Sequence, residues 1–201
     1  MPFSRLFLFV GCAGLLGACA SSYTPATRAP RGFWRPNRFD RDGKAQGRWR
    51  TYYDSADAQL FTTGRYRHGR PVRTFRYYAP TGRLDYSEQY RRQGFCEVTY
   101  WHPSGQVARS GHAQWVTGNG QAPRFYWFGP WTNYAENGQV AGIQTYTNGT
   151  LTRAETYAGG QLTKAENYKN QRLTTIELFE NGKLLKTETY ENNVRVGSVV
   201  P

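Results

Sequence analysis

An eleven-residue repeat constrains the last third of the chain more than any other feature. Five aromatic residues recur at this step: Tyr146, Tyr157, Tyr168, Phe179 and Tyr190. Leucines recur at the same step between them: Leu151, Leu162, Leu173 and Leu184. Eleven residues are enough for one β-strand and one turn, so the repeat predicts a β-meander.

Turn residues separate each aromatic residue from the leucine that follows it. A type I′ turn needs positive φ at both central residues, which Asn and Gly adopt at the lowest cost. We therefore expect two-residue turns at the dipeptides Asn148-Gly149, Gly159-Gly160, Asn170-Gln171, Asn181-Gly182 and Asn192-Asn193.

These turns predict a register for the neighbouring strands. Tyr157 would lie opposite Leu162, and Glu155 opposite Lys164. By the same rule Lys164 would lie opposite Glu177, and Glu177 opposite Lys186, so that opposite charges face each other. Alternation along each strand would place Leu, Glu, Lys or Arg, and Tyr on one face and small polar residues on the other. Neither face can build a thick core, so we expect a single-layer sheet.

The upstream region uses the same pattern at about twice the step. The segments YYAPTGRL (77–84) and YWHPSGQV (100–107) lie 23 residues apart, and NYAENGQV (133–140) is a third copy. A step of this length holds two strands and two turns, which make one hairpin. The composition, 16% aromatic with 22 glycines, favours short strands over packed helices. We predict an all-β fold, an elongated antiparallel meander of consecutive hairpins.

These segments resemble the MORN-variant repeat, in which Gly-x-Trp-x-x-Tyr-x-x-(Asn/Ser)-Gly-x-Leu recurs. GPWTNYAENGQV (129–140) matches best, and GRWRTYY (47–53) matches the first half. The segment GRPVRTFRYY (69–78) lacks the second glycine of the repeat. The resemblance implies a repeat domain at 42–195, with 23-residue units to about 140, eleven-residue units at 146–193 and a tail at 196–201. It also implies a relation to YwqK-type antitoxins, which would neutralise a cognate toxin by direct binding.

The N-terminus has the pattern of a bacterial lipoprotein signal peptide. Arg5 precedes a short apolar run, which ends in the lipobox-like residues Leu16, Gly17 and Ala18 before Cys19. We expect a signal peptide at 1–18, lipidation of Cys19 and a flexible tether at 19–41 that is rich in Ser, Thr, Pro and Arg. An ordinary signal peptide is the alternative. The expected location is the outer membrane, facing the periplasm.

No pattern in the sequence indicates catalysis. The three histidines show no metal-ligand spacing, and no nucleophile has recognisable partners. The periodic glutamates each have a basic partner in the predicted register, which fits a structural role better than acid–base work. Cys96 is expected to be buried. We predict a protein that is not an enzyme and needs no cofactor or metal.

Positive charge is concentrated in the first half of the chain. The formal net charge is +12, and residues 28–92 hold 16 Lys and Arg against 6 Asp and Glu. Arginines interleaved with aromatic residues are typical of phosphate-binding surfaces. The candidate residues for binding an anionic surface are Arg65, Arg67, Arg70, Arg73, Arg76, Arg91 and Arg92. A solvated basic face is the alternative.

Two functions fit these patterns. The first is a lipid-anchored envelope protein whose sheet is a scaffold for a protein partner or for anionic lipid. The second is an antitoxin or immunity protein that binds a cognate toxin. The expected partners are the membrane, through the lipid anchor, together with anionic lipid, an acidic protein or a toxin; we do not expect nucleic acid.

Overall fold

The chain forms one antiparallel sheet in which strand order equals chain order. The computed structural model describes residues 35–116 and 124–201. In these residues, fourteen strands follow one another as consecutive hairpins, and the 3-10 turn Arg92–Gly94 is the only helical segment. The predicted single-layer, all-β meander is therefore confirmed. In the same residues, no helix has the length and apolar character needed to cross a bilayer.

The first eight strands are β1 (Arg38–Phe39), β2 (Ala45–Tyr52), β3 (Leu60–Arg67), β4 (Arg70–Tyr78), β5 (Leu84–Tyr90), β6 (Phe95–Trp101), β7 (Val107–Val116) and β8 (Arg124–Tyr134). The remaining six are β9 (Val140–Thr147), β10 (Thr150–Ala158), β11 (Gln161–Lys169), β12 (Arg172–Glu180), β13 (Lys183–Glu191) and β14 (Val194–Val199).

Both predicted boundaries of the repeat domain need correction. β1 lies inside the segment predicted as tether, and its Phe39 packs edge-on against Trp49 with ring centroids 5.2 Å apart. At the other end, β14 pairs with β13 as far as Val199, so the sheet includes most of the predicted tail. The predicted signal peptide, the lipobox, Cys19 and the tether to residue 34 lie outside the described residues.

The two-residue turns have the backbone that the dipeptides predicted. Both central residues have positive φ in the turns at 148–149, 159–160, 170–171, 181–182 and 192–193. A sixth turn of this kind, His68-Gly69 (φ 49° and 74°), joins β3 to β4 and was missed because histidine is not a typical first residue. In the described residues four other connections are five-residue loops, and one of them holds Ser104 in the HPSGQ segment.

The predicted register is right beside each turn and wrong beyond it. Tyr157 lies opposite Leu162. One position further on, Thr163 has no partner, so Glu155 lies opposite Ala165 instead of Lys164. This extra residue is a β-bulge, and the Thr163 hydroxyl donates a hydrogen bond to the Thr156 carbonyl across it (3.1 Å).

The same bulge recurs in the next two hairpins. Thr174 and Leu185 are the extra residues there. Lys164 consequently lies opposite Leu178 instead of Glu177, and Glu177 lies opposite Thr187 instead of Lys186. The predicted cross-strand Glu–Lys pairs are therefore wrong, because each bulge adds one residue that the turn chemistry does not reveal.

Because of each bulge, equivalent residues of consecutive strands lie on opposite faces of the sheet. A shift of one residue moves every side chain to the opposite face of a sheet. Glu155 and Glu177 therefore share one face, which Arg153 confirms by contacting both, at 2.8 and 3.4 Å. Glu166 and Glu188 share the other face. The prediction of one charged face and one small polar face is therefore wrong. The structural repeat is a hairpin made of two consecutive eleven-residue units.

The buried core lies on strands β4 to β8. Trp131 and Ala113 are fully buried, and Cys96 and Val98 are 1% exposed. A Cβ atom on Gly111 would lie 2.3 Å from the Trp131 ring, so glycine is needed for this indole to lie flat against β7. Burial raises the pKa of the Cys96 thiol to about 12, as expected for an unreactive cysteine.

Candidate anion-binding groove

The strands that hold most of the positive charge form a groove lined by arginines. The groove has a volume of about 480 Å³ and lies along β1 to β4. Gln46, Gly47, Tyr66 and Val72 contribute to its wall. Six arginines line it: Arg35, Arg38, Arg48, Arg65, Arg67 and Arg73. We call these six residues the arginine groove.

Strand pairing places two pairs of arginines directly opposite each other as like-charged neighbours. Arg48 on β2 lies directly opposite Arg65 on β3, and Arg67 on β3 lies opposite Arg70 on β4. Like charges directly opposite each other destabilise a sheet. An anion held between the guanidinium groups would remove this repulsion.

A glycine makes room for another arginine in the groove. β1 places Arg38 opposite Gln46, beside Gly47. A Cβ atom on Gly47 would lie 2.8 Å from a terminal guanidinium nitrogen of Arg38. The absence of a side chain at position 47 therefore lets the Arg38 guanidinium lie close to the β2 backbone.

The positive charge of the groove is not matched by acidic residues in its lining. Its lining contains no acidic residue, and in the described part of the chain Arg48, Arg65, Arg67 and Arg73 form no ion pair. Asp40 lies in the nearby loop, but its carboxylate accepts the backbone N–H of Lys44 and contacts His68 Nδ1 at 2.8 Å. The Lys44 N–H is the main cause of the lowered pKa of Asp40.

A second, larger groove is lined by residues of β4 to β7. Its volume is about 1010 Å³, and it shares Val72 with the arginine groove. Arg70, Arg91 and Arg92 line it together with apolar side chains such as Phe95. Arg91 is paired with Glu97 at 3.1 Å. This groove is less basic than the first one.

The structure distributes the seven candidate arginines among three places. Arg65, Arg67 and Arg73 line the arginine groove, and Arg70, Arg91 and Arg92 line the second groove. Arg76 lines neither, because it lies in the middle of β4 opposite Thr63 and Ser87.

Sequence reasoning missed Arg35, Arg38 and Arg48. Arg35 and Arg38 fall in the segment predicted as tether. The predictive signal for Arg48 is that β2 and β3 both carry a Gly-Arg-aromatic-Arg motif, GRWR at 47–50 and GRYR at 64–67.

An aromatic stack continues from the basic strands into the core. The rings of Tyr77 and Tyr86 stack at 4.1 Å, and those of Tyr86 and Tyr100 at 4.8 Å. Beyond them the Arg109 guanidinium lies over the Trp131 ring, 4.8 Å from its centroid. This packing gives the basic strands a rigid support.

The buried carboxylate of Glu88 is the most unusual ionisable group in this support. It accepts hydrogen bonds from the hydroxyls of Tyr77 and Tyr90, both at 2.8 Å. Burial nevertheless raises the pKa of Glu88. Within residues 35–116 and 124–201, no three metal-ligating side chains cluster.

A family comparison agrees with this architecture. The model of the MORN repeat variant matches residues 129–148 and 174–192. These two matches are consistent with a MORN-variant repeat protein. The first match contains Trp131 and the loop between β8 and β9, and the second contains the β12–β13 hairpin. MORN-variant repeats are non-catalytic binding repeats, so an array of them indicates a binding scaffold. No curated protein shows significant sequence similarity to the chain.

Proposed function

We propose that this protein is a lipid-anchored scaffold of the bacterial envelope and that its basic half binds anionic lipid headgroups. The observation that carries the proposal is the arginine groove, whose lining gathers six arginines and contains no acidic residue. Guanidinium groups bind phosphate through two parallel hydrogen bonds, and such charge-assisted bonds are among the strongest in proteins.

The position of the groove in the chain supports a role at a membrane. Arg35 lines the groove, and the segment before it leads to the proposed lipid anchor at Cys19. A basic surface close to the anchor adds electrostatic attraction to anionic headgroups to the attachment that the acyl chains provide. We place the protein at the outer membrane, facing the periplasm.

The anchor is tested by the substitution Cys19→Ser. The acyl chains contribute most of the attachment free energy, so this variant is expected in the soluble fraction or as an unprocessed precursor. Labelled palmitate should enter the wild-type protein alone. If the variant still matures and fractionates with membranes as the wild type does, the lipobox interpretation is wrong.

The basic surface is tested by flotation with anionic vesicles. Replacing Arg65, Arg67, Arg70 and Arg73 by Gln should reduce binding, and wild-type binding should fall as salt is added. A matched control removes the same charge elsewhere, with Gln at Arg83, Lys169, Arg172 and Lys183. Equal losses in both variants would mean that net charge alone, and no particular surface, governs binding.

The antitoxin hypothesis remains a second candidate because the arginine groove also suits an acidic protein. Carboxylates accept the same paired hydrogen bonds from guanidinium groups as phosphates do. A pull-down from detergent-solubilised envelope distinguishes the two functions. Recovery of one acidic protein, lost in the four-arginine variant, would favour toxin or partner binding over lipid binding.

A further inference from the structure

Arg73 occupies a backbone position that the repeat normally gives to glycine. Gly47 and Gly129 each stand two residues before a tryptophan and have φ of 80° and 66°. Arg73 stands two residues before Phe75 and has φ of 63°. Among the described residues it is the only arginine with positive φ.

Packing shows that these positions are structurally equivalent. The Trp131 ring lies against Gly111 on the preceding strand, and a Cβ atom there would be 2.3 Å from it. The Phe75 ring lies against Gly64 in the same way, again at 2.3 Å. The residue with positive φ that stands two positions before the packed ring is therefore Gly129 in one repeat and Arg73 in the other.

An arginine at this position is disfavoured by its own backbone. In the left-handed region the Cβ atom crowds the following carbonyl oxygen, and glycine avoids this contact. Strained residues of this kind concentrate at binding sites, where the surrounding structure maintains them. The Arg73 side chain lines the arginine groove, so ligand binding is a physical reason for arginine to be present there.

The number of guanidinium groups indicates the class of ligand. Arg73 joins the opposed pair Arg48 and Arg65 and the neighbouring Arg67 around one space of about 480 Å³. Four guanidinium groups carry a charge of +4, which exceeds the charge of a carboxylate and the charge of about −2 of a single phosphate group. Two adjacent phosphate groups have enough acceptors and charge.

We propose that Arg73 is a ligand-binding residue and that the arginine groove binds a ligand with two neighbouring phosphate groups. This inference shares one premise with the proposed function, namely that the arginine groove binds anions. A lipid headgroup or a soluble diphosphate would offer the same chemistry.

The experiment is calorimetric titration of the detergent-solubilised full chain with pyrophosphate and with inorganic phosphate. The wild type should bind pyrophosphate about tenfold more tightly, since the second phosphate adds charge-assisted hydrogen bonds. The substitution Arg73→Gly should weaken pyrophosphate binding about tenfold, because it removes one such set of bonds. The same substitution should raise the melting temperature by about 2 °C, because it relieves the backbone.

Two further variants separate charge from geometry. Arg73→Lys keeps a positive charge and the disfavoured backbone, so it should leave the melting temperature unchanged while weakening pyrophosphate binding. Arg76→Gln removes an arginine of the same strand that lines neither groove, so it should change neither quantity.

The possible results separate this inference from the membrane proposal. A higher melting temperature of Arg73→Gly with unchanged pyrophosphate affinity would overturn the role of Arg73. Equal affinity of the wild type for phosphate and pyrophosphate, or no binding of either, would overturn the ligand class even if anionic vesicles still bind. Pyrophosphate binding that depends on Arg73, without binding to phosphatidylglycerol vesicles, would support the inference and contradict the membrane role.

Discussion

The two halves of the sheet share one topology but are stabilised by different interactions. Among the described residues, six of the seven buried apolar side chains lie on β4 to β8, and Ala165 is the exception. Five of the seven ion pairs lie between Arg153 and Arg195. The first half is a packed aromatic layer, and the second half is held by charged groups on both faces.

The second half repeats one small cluster of side chains. In β11, Glu166 contacts Lys164 at 3.0 Å and accepts a hydrogen bond from Tyr168 at 3.1 Å. Equivalent triads, with a basic residue two positions before the glutamate and a tyrosine two positions after it, occur in β10 and β13. In this single-layer sheet, each of these glutamates therefore finds its ion-pair and hydrogen-bond partners on its own strand.

The largest expected difference between the halves concerns removal of an aromatic ring. Trp131 is fully buried, so Trp131→Ala should lower the free energy of unfolding by about 3–5 kcal/mol. Phe179, on β12, is only partly buried, and Phe179→Ala should cost about 1 kcal/mol. Urea unfolding measures both values. Similar losses would show that the buried aromatic core contributes no more to the free energy of unfolding than an aromatic–leucine pair beside a turn, such as Phe179 and Leu184.

A medium effect is expected from the turns of the second half. Gly182 has φ of 76°, and a side chain there would meet no atom within 4 Å. Gly182→Val should therefore cost about 1–2 kcal/mol through the backbone alone. Lys183→Val, at the next position in β13, should be tolerated because valine suits a strand. Thermal melts in which both variants lose the same stability would contradict the turn assignment.

The smallest expected effects concern pH, and they have opposite signs in the two halves. Hydrogen bonds from Lys186, Tyr190 and Arg195 lower the pKa of Glu188 to about 2, from an ordinary value of 4.5. Ionised Glu188 therefore stabilises the fold above pH 4.5, and this contribution is lost as the pH falls towards 2. Glu188→Gln should reduce the loss of melting temperature on acidification.

Glu88 in the aromatic half should behave in the reverse way. Burial raises its pKa above 4.5, so the folded protein holds this proton more tightly than the unfolded chain. Its contribution to stability is present below pH 4.5 and is lost as the pH rises through the raised pKa. Glu88→Gln should make the melting temperature less sensitive to that rise. A pH profile that the substitution leaves unchanged would mean that Glu88 does not titrate abnormally.

The predictability of the fold follows from local chemistry. Asn181-Gly182 and its counterparts predict the turns, because positive φ at two adjacent residues depends only on those residues. The bulge at Thr163 has no comparable local signal, since threonine is an ordinary strand residue. One unpaired residue per hairpin was therefore enough to make the predicted faces wrong while the strand order was right.

The candidate site was predictable in composition but not in arrangement. The excess of arginine in residues 28–92 is visible in the sequence. The separation of Arg76 from Arg65 and Arg73 depends on register, and the contribution of Arg38 depends on β1 folding back onto β2. Neither feature follows from charge or spacing alone.

The most direct test concerns the bulge that reverses the faces of consecutive repeats. Two double-cysteine variants differ by one position: Glu177→Cys with Thr187→Cys, and Glu177→Cys with Lys186→Cys. Directly opposed residues have Cβ atoms about 4.5–5.5 Å apart, within reach of a disulfide after a small adjustment, whereas residues on opposite faces cannot be joined. Glu177 lies opposite Thr187, so mild oxidation should link the first pair and leave the second reduced. A disulfide in the second pair and none in the first would contradict the bulged register and the two-strand repeat.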